Sequence, residues 1–254
     1  MPFFVKALIL FLVGAIAGVI NALAGGGTLI SFPTLIFLGV PSVIANATNT
    51  VAVQFGTLAS VWSYRREFAS HKKWVWRFAP SSFIGGLLGA FLLLHTRESS
   101  FRAIVPYLIL FATTLFTFRS VISRWLQIEA RVAQQSRHAL AAAIVFQFCV
   151  GIYGGYFGAG IGILMLAVLG ILIQGDIHEM NSVRVIQATL INGIAAVYFI
   201  ASGSVLWTEA LFLGVGAVLG GYVGPILGRK VGARVVRVFV SVFGFVTGIY
   251  FLFR

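Results

Sequence analysis

NALAGGGTLISFP, residues 21–33, sets three consecutive glycines inside a stretch that is otherwise apolar. It belongs to an apolar block, 7–40, that would extend about 51 Å as one helix at about 1.5 Å per residue. A bilayer's hydrocarbon core is only about 30 Å thick. The block must therefore be broken, steeply tilted or doubled back, and Gly25, Gly26 and Gly27 mark where a helix is most easily interrupted. The whole chain has the same character: of 254 residues 59% are hydrophobic and only 9% charged, against about 25% charged in soluble domains. The composition predicts a polytopic membrane protein.

Further apolar blocks fall at 43–64, 77–95, 102–120, 139–173, 181–201, 207–227 and 235–253. Six of the eight have the length of one span. The block 139–173 is as overlong as the first, and GGYFGAGIG places Gly158, Gly160 and Gly162 within it. Shifting the chain by 135 lays Gly25 on Gly160, Gly27 on Gly162, Asn46 on Asn181 and Gln54 on Thr189, with the following blocks matching in order and length. The expected fold is all-α: a helical bundle of two repeats, 1–120 and 139–254, each a glycine-broken block followed by three spans. A polar linker, 121–138, joins them.

The net charge of +12 would suggest a nucleic-acid partner in a soluble chain. Here the basic residues cluster in short segments between apolar blocks, as cytoplasmic loops do, so no nucleic acid is expected. RREFASHKKWVWR (65–77), the linker and GRKVGAR (228–234) are basic, whereas 174–180 and 202–209 hold no Lys or Arg. With the basic segments cytoplasmic, the second repeat runs inverted relative to the first and both termini lie outside. A model of eight simple spans would leave Arg229, Lys230, Arg234 and Arg237 outside. Lys6, the apolar run after it and Ala22-Leu23-Ala24 imitate a cleavable signal peptide. The recurrence of that pattern in the second half marks it instead as part of the fold.

Several functions are excluded by what the sequence lacks. Cys149 stands alone, and no His, Cys, Asp or Glu set has the spacing of a metal site, so neither metal nor cofactor is expected. No nucleophile and base come together in any block, so no catalytic residue is assigned and an enzyme is not expected. The six acids avoid the middle of the spans; Asp176, His178, Glu179 and Glu209 are the nearest proton-relay positions and read as loop residues.

Polar residues inside apolar blocks are costly and therefore informative. VPSVIANATNTVAVQFGT (40–57) presents Asn46, Thr48, Asn49, Thr50 and Gln54. HEMNSVRVIQATLIN (178–192) presents Asn181, Ser182, Arg184, Gln187 and Asn192. One guanidinium among amides and hydroxyls suits a small oxyanion, which Arg grips with a bidentate fork. Half-helices starting after the glycine breaks would add backbone N–H groups and a positive dipole end. The expected binding set is Asn21, Gly25, Gly26, Gly27, Thr28, Asn46, Thr48, Asn49, Gly160, Gly162, Asn181, Arg184 and Gln187. Isolated glycines such as Gly14, Gly18, Gly216 and Gly220 read instead as sites of close helix packing.

AGVINALAGGGTLISFPTLIFLGVPSVIANATNTVAVQFGTLASVWSYRREF, with GGYFGAGIGI, HEMNSVRVIQATLINGIAAVYF and GAVLGGYVGPILGRKV, resembles the two signatures of the sulfite exporter TauE/SafE family. Where the second signature usually reads Ala-Asn-Ala-Thr before a basic pair, this chain has Met180-Asn181-Ser182-Val183-Arg184, keeping the Asn and one Arg. The resemblance implies a multi-pass permease of a bacterial inner membrane. It would export sulfite or a related sulfur-containing or organic anion by alternating access, in contact with membrane lipid. An anion channel and a non-transport membrane scaffold are the alternatives.

Overall fold

The computed structural model describes residues 1–23, 25–63, 72–130, 137–172, 177–231 and 233–253. They form ten helices and no strand. The first half holds α1 (Phe3–Leu23), α2 (Thr28–Phe37), α3 (Ser42–Ser63), α4 (Lys72–His95) and α5 (Glu98–Ala130). The second holds α6 (Arg137–Tyr156), α7 (Ile161–Leu172), α8 (Ile177–Ala201), α9 (Trp207–Val231) and α10 (Ala233–Leu252). Six of them are long and apolar enough to cross a membrane. The overlong blocks are each split at the glycines, into α1 and α2 and into α6 and α7. α5 runs on to Ala130, well into the segment read as linker. Parts of the basic segments, Asp176 and the side chains of His178, Glu179 and Asn181 lie outside the described residues.

The first broken block doubles back. Phe3 packs against Phe212, with ring centroids 6.0 Å apart, and Lys6 pairs with Glu209 at 2.6 Å, so α1 starts beside the start of α9. Phe37, at the far end of α2, lies 5.1 Å from Phe251, while Ser42 and Val43 donate their backbone N–H groups to the Glu98 carboxylate. The starts of α1, α3, α5 and α9 and the ends of α2 and α10 therefore share one end of the bundle. It is called the Glu98 end below.

Glycine sets the tightest helix contacts. A methyl group at Gly14 would lie 2.1 Å from the carbonyl oxygen of Leu213, and at Gly220 1.9 Å from that of Ala15. α1 and α9 thus pack backbone to backbone. α4 and α6 do the same: a methyl at Gly89 would lie 2.1 Å from Ile152 O, and at Gly155 2.0 Å from Gly86 O. Lipid tails are as apolar as leucine, so helices in a bilayer gain from this close van der Waals fit rather than from hydrophobic burial. The packing partners are exchanged between the halves, because α1 and α9 stand in the same places of their repeats as α6 and α4.

α3 is the central helix. Ala45 through Val53 are all buried, including Asn46, Thr48, Asn49 and Thr50. It packs against α1, α2, α8 and α9 and is too polar to count among the six spans. A helix buried on every side by other helices can carry amides that lipid would not tolerate. α4 shows the opposite: Phe83, Ile84, Leu87, Leu88 and Phe91 are exposed, the surface expected to face acyl chains.

Candidate substrate site

The two glycine breaks meet around one arginine. Arg184 lies in the second turn of α8 and is only 8% exposed. Its Nη1 is 3.1 Å from where a Cβ would stand on Gly25 and 2.9 Å from where one would stand on Gly162. Gly25 has φ +75°, a conformation that side chains resist, and at Gly162 a side chain would displace the guanidinium. Gly25 therefore needs glycine for its backbone, and Gly162 leaves the guanidinium its room.

A cavity of about 60 Å³ opens beside the guanidinium. Asn21, Thr28, Thr57 and Asn192 give it polar walls, and Val53, Ile161 and Ala188 apolar ones. Among the described residues Arg184 is the one charged side chain that lines it. A guanidinium lining a low-dielectric pocket favours an anion there, and the planar fork suits two oxygens of one ligand. Pockets for drug-sized ligands run to about 300 Å³ or more, so this cavity suits a small headgroup.

Of the expected binding set, Asn21, Gly25, Thr28, Gly162 and Arg184 come together at this cavity. The others sit elsewhere. Gly26 faces the Phe116 ring, and Gly160 (φ +78°) turns the chain against Ala112. Asn46 donates from Nδ2 to Tyr156 O at 2.9 Å, tying α3 to the end of α6. Thr48 accepts the Leu206 N–H at 3.1 Å, at the start of α9. Asn49 accepts from the Ser31 hydroxyl, and Gln187 donates to Val75 O at 2.8 Å. Their polar groups bridge helices, as amides in membrane bundles often do. The backbone of Asn181 lies in the first turns of α8; its side chain is outside the description.

The break differs in one chemical respect from the sequence expectation. The Gly27 N–H is taken by Asn21 Oδ1 at 2.7 Å, and the Gly25 N–H by the carbonyls of Ile20 and Asn21. Asn21 folds back to satisfy a donor that the interrupted helix leaves without an intrahelical partner. These two N–H groups are thus engaged within the protein, and the positive charge beside the cavity comes from Arg184. Thr57 and Asn192 also line the cavity and stand outside the expected set. Their signal was present in the sequence, since they stand at the same repeat offset as Gln54 and Thr189.

Nearer the Glu98 end lies a layer of rings. Phe32, Phe101 and Phe157 are buried; Phe32 is 5.3 Å from Phe157 and 6.4 Å from Phe101, and Phe101 is 5.5 Å from Tyr156.

Two helices broken in mid-bundle around a buried cation define a membrane permease. The chain belongs to the sulfite exporter TauE/SafE family, whose model matches residues 10–251. The family is one of membrane transporters, which places the chain outside the enzymes. Among its relatives is a probable membrane transporter protein of Haemophilus influenzae, 27% identical over 237 residues, covering 93% of this chain and 91% of the relative. A probable membrane transporter protein of Sinorhizobium (ORF9) is 27% identical, covering 90% and 85%. The probable membrane transporter protein YfcA of Escherichia coli K12 is also 27% identical, covering 90% and 83%. No solved structure matches the chain.

Proposed function

We propose that the chain exports a small anion, sulfite or a related sulfur-containing or organic anion, across a bacterial inner membrane by alternating access. The observation that carries this reading is the position of Arg184 between the two glycine breaks. In this mechanism the guanidinium binds two anion oxygens, while Asn21, Thr28, Thr57 and Asn192 complete the shell with neutral dipoles. Neutral groups orient the anion without holding it too tightly to leave.

The exchange of packing partners between the halves supports an inverted repeat, with the basic segments cytoplasmic and the Glu98 end outside. Two halves of opposite direction can trade conformations and so expose one central site to each side in turn. The aromatic layer closes the path toward the Glu98 end and argues against an open pore. No proton or sodium gradient is needed for export. A monoanion leaving an interior at about −100 mV gains about 2.3 kcal/mol.

The test is flux of labelled sulfite, sulfate, thiosulfate and a small sulfonate in liposomes holding the purified protein, with and without an imposed potential. Saturable, potential-dependent flux of one of them is expected. Folded protein that moves none of them above empty liposomes would overturn the reading.

A further inference from the structure

A second cavity is larger than the one at Arg184. It measures about 370 Å³ and lies at the Glu98 end, between the end of α2, the start of α3, α5 and α10. Ile36, Val40, Val105 and Phe251 give it an apolar floor; Ser42, Glu98 and Arg102 give it a polar rim.

The two charges on the rim do not cancel each other. Glu98 and Arg102 are one turn apart on α5, the spacing at which Glu and Arg normally pair. Instead both carboxylate oxygens of Glu98 accept backbone N–H groups at the start of α3, from Ser42 and Val43. The positive helix end balances that carboxylate. Among the described residues Arg102 makes neither an ion pair nor a side-chain hydrogen bond, and its guanidinium is left to the cavity.

One face of α2 orders what lies along the bundle. Thr28 lines the central cavity, Phe32 stands in the aromatic layer and Ile36 lines the cavity at the Glu98 end, each one turn after the last. The two cavities therefore lie on opposite sides of the ring layer.

We propose that the cavity at the Glu98 end is a second anion site, in which Arg102 holds an anionic headgroup and Ile36, Val40, Val105 and Phe251 take an attached apolar body. Its volume falls within the range of pockets for small organic ligands, about 300–1,000 Å³, whereas the central cavity has room only for a headgroup. The inference deepens the transport reading by giving organic anions a station beyond the aromatic layer. Its test measures binding rather than flux, so either reading can fail alone.

The experiment is calorimetric titration of 1-octanesulfonate into the full chain in phosphatidylcholine nanodiscs, with empty discs subtracted. Saturable binding is expected, weakened about tenfold or more by Arg102→Ala, a factor that corresponds to about 1.4 kcal/mol. Arg102→Lys should recover part of it. Repeating the titration in phosphatidylglycerol discs identifies the source of the natural occupant. Competition there assigns the site to anionic lipid headgroups, and its absence assigns it to a free organic anion; both support the site. Wild-type binding by the Arg102→Ala variant, or no saturable binding above empty discs, would overturn it. Arg102 is exposed on the rim, so its replacement is not expected to compromise folding.

Discussion

Gln54 donates from Nε2 to the carbonyl oxygen of Thr189 at 3.2 Å, and the two residues stand 135 positions apart. That is the shift that lays one half of the sequence on the other. A residue can touch its own counterpart only where the two copies meet, close to the axis that relates them. Val53 and Ala188, and Thr57 and Asn192, are counterparts by the same shift, and all four line the cavity beside Arg184. The cavity therefore straddles the meeting line of the halves. The charge is not duplicated: Arg184 corresponds to Asn49, which faces Ser31 instead. One guanidinium thus stands where the halves meet, which makes its removal the sharpest test of the proposed site.

Arg184→Ala is expected to lower anion flux in liposomes about tenfold or more, since a charge-assisted hydrogen bond contributes about 1.5–3 kcal/mol. Arg184→Lys keeps the charge but loses the fork, and should retain part of the flux with weaker half-saturation. Flux equal to wild type in Arg184→Ala would remove Arg184 from the site.

Two glycine substitutions separate packing from flexibility. A methyl at Gly220 would stand 1.9 Å from Ala15 O, backbone against backbone, so Gly220→Ala must push α9 from α1 and should cost about 1–3 kcal/mol. Gly39 has φ +84° with open space around it, so Gly39→Ala meets only conformational strain of about 1–2 kcal/mol. Thermal unfolding in detergent should show the larger loss for Gly220→Ala. A reversed order would mean that α1 and α9 separate at little cost.

Topology can be read with a charged maleimide on intact cells. In a Cys149→Ala background, Ser202→Cys, on the exposed turn after α8, should label from outside. Lys72→Cys, exposed at the opposite end, should label only after permeabilisation. Labelling of Ser202→Cys only from the cytoplasm would sink the inverted arrangement.

The sequence made the breaks legible because length alone forces them: neither 7–40 nor 139–173 fits a bilayer as one straight helix perpendicular to it. The structure places α1, α2, α6 and α7 on either side of the glycines for that reason. The position of Arg184 as a charge within an apolar block was legible as well, and the structure places it buried beside both breaks. The partners of the amides were not legible. Asn46, Thr48, Asn49 and Gln187 have the same chemistry as a ligand shell, and only their contacts with Tyr156, Leu206, Ser31 and Val75 show that they fasten helices. Periodicity gives the face on which an amide lies, but what stands opposite depends on pairing between elements more than 100 residues apart, as with Asn46 and Tyr156. The cavity with Arg102 was hidden for the same reason, because one helical turn of sequence pairs that arginine with Glu98 and only the fold diverts the carboxylate to α3.

The aromatic layer gives the last prediction. Phe32 is fully buried between Phe101 and Phe157, on the α2 face that joins the two cavities. Phe32→Ala removes a ring from the layer and should cost about 3–5 kcal/mol of stability. Phe32→Leu keeps apolar bulk and should cost less. If the layer is the barrier on the Glu98 side, thinning it connects the cavities, and Phe32→Ala should pass anions without saturation, at rates that follow the applied potential linearly. Phe32→Leu should remain saturable. The measurement is flux against anion concentration in liposomes, with folding checked by size-exclusion chromatography. Saturable flux in a folded Phe32→Ala protein would place the barrier elsewhere along the bundle.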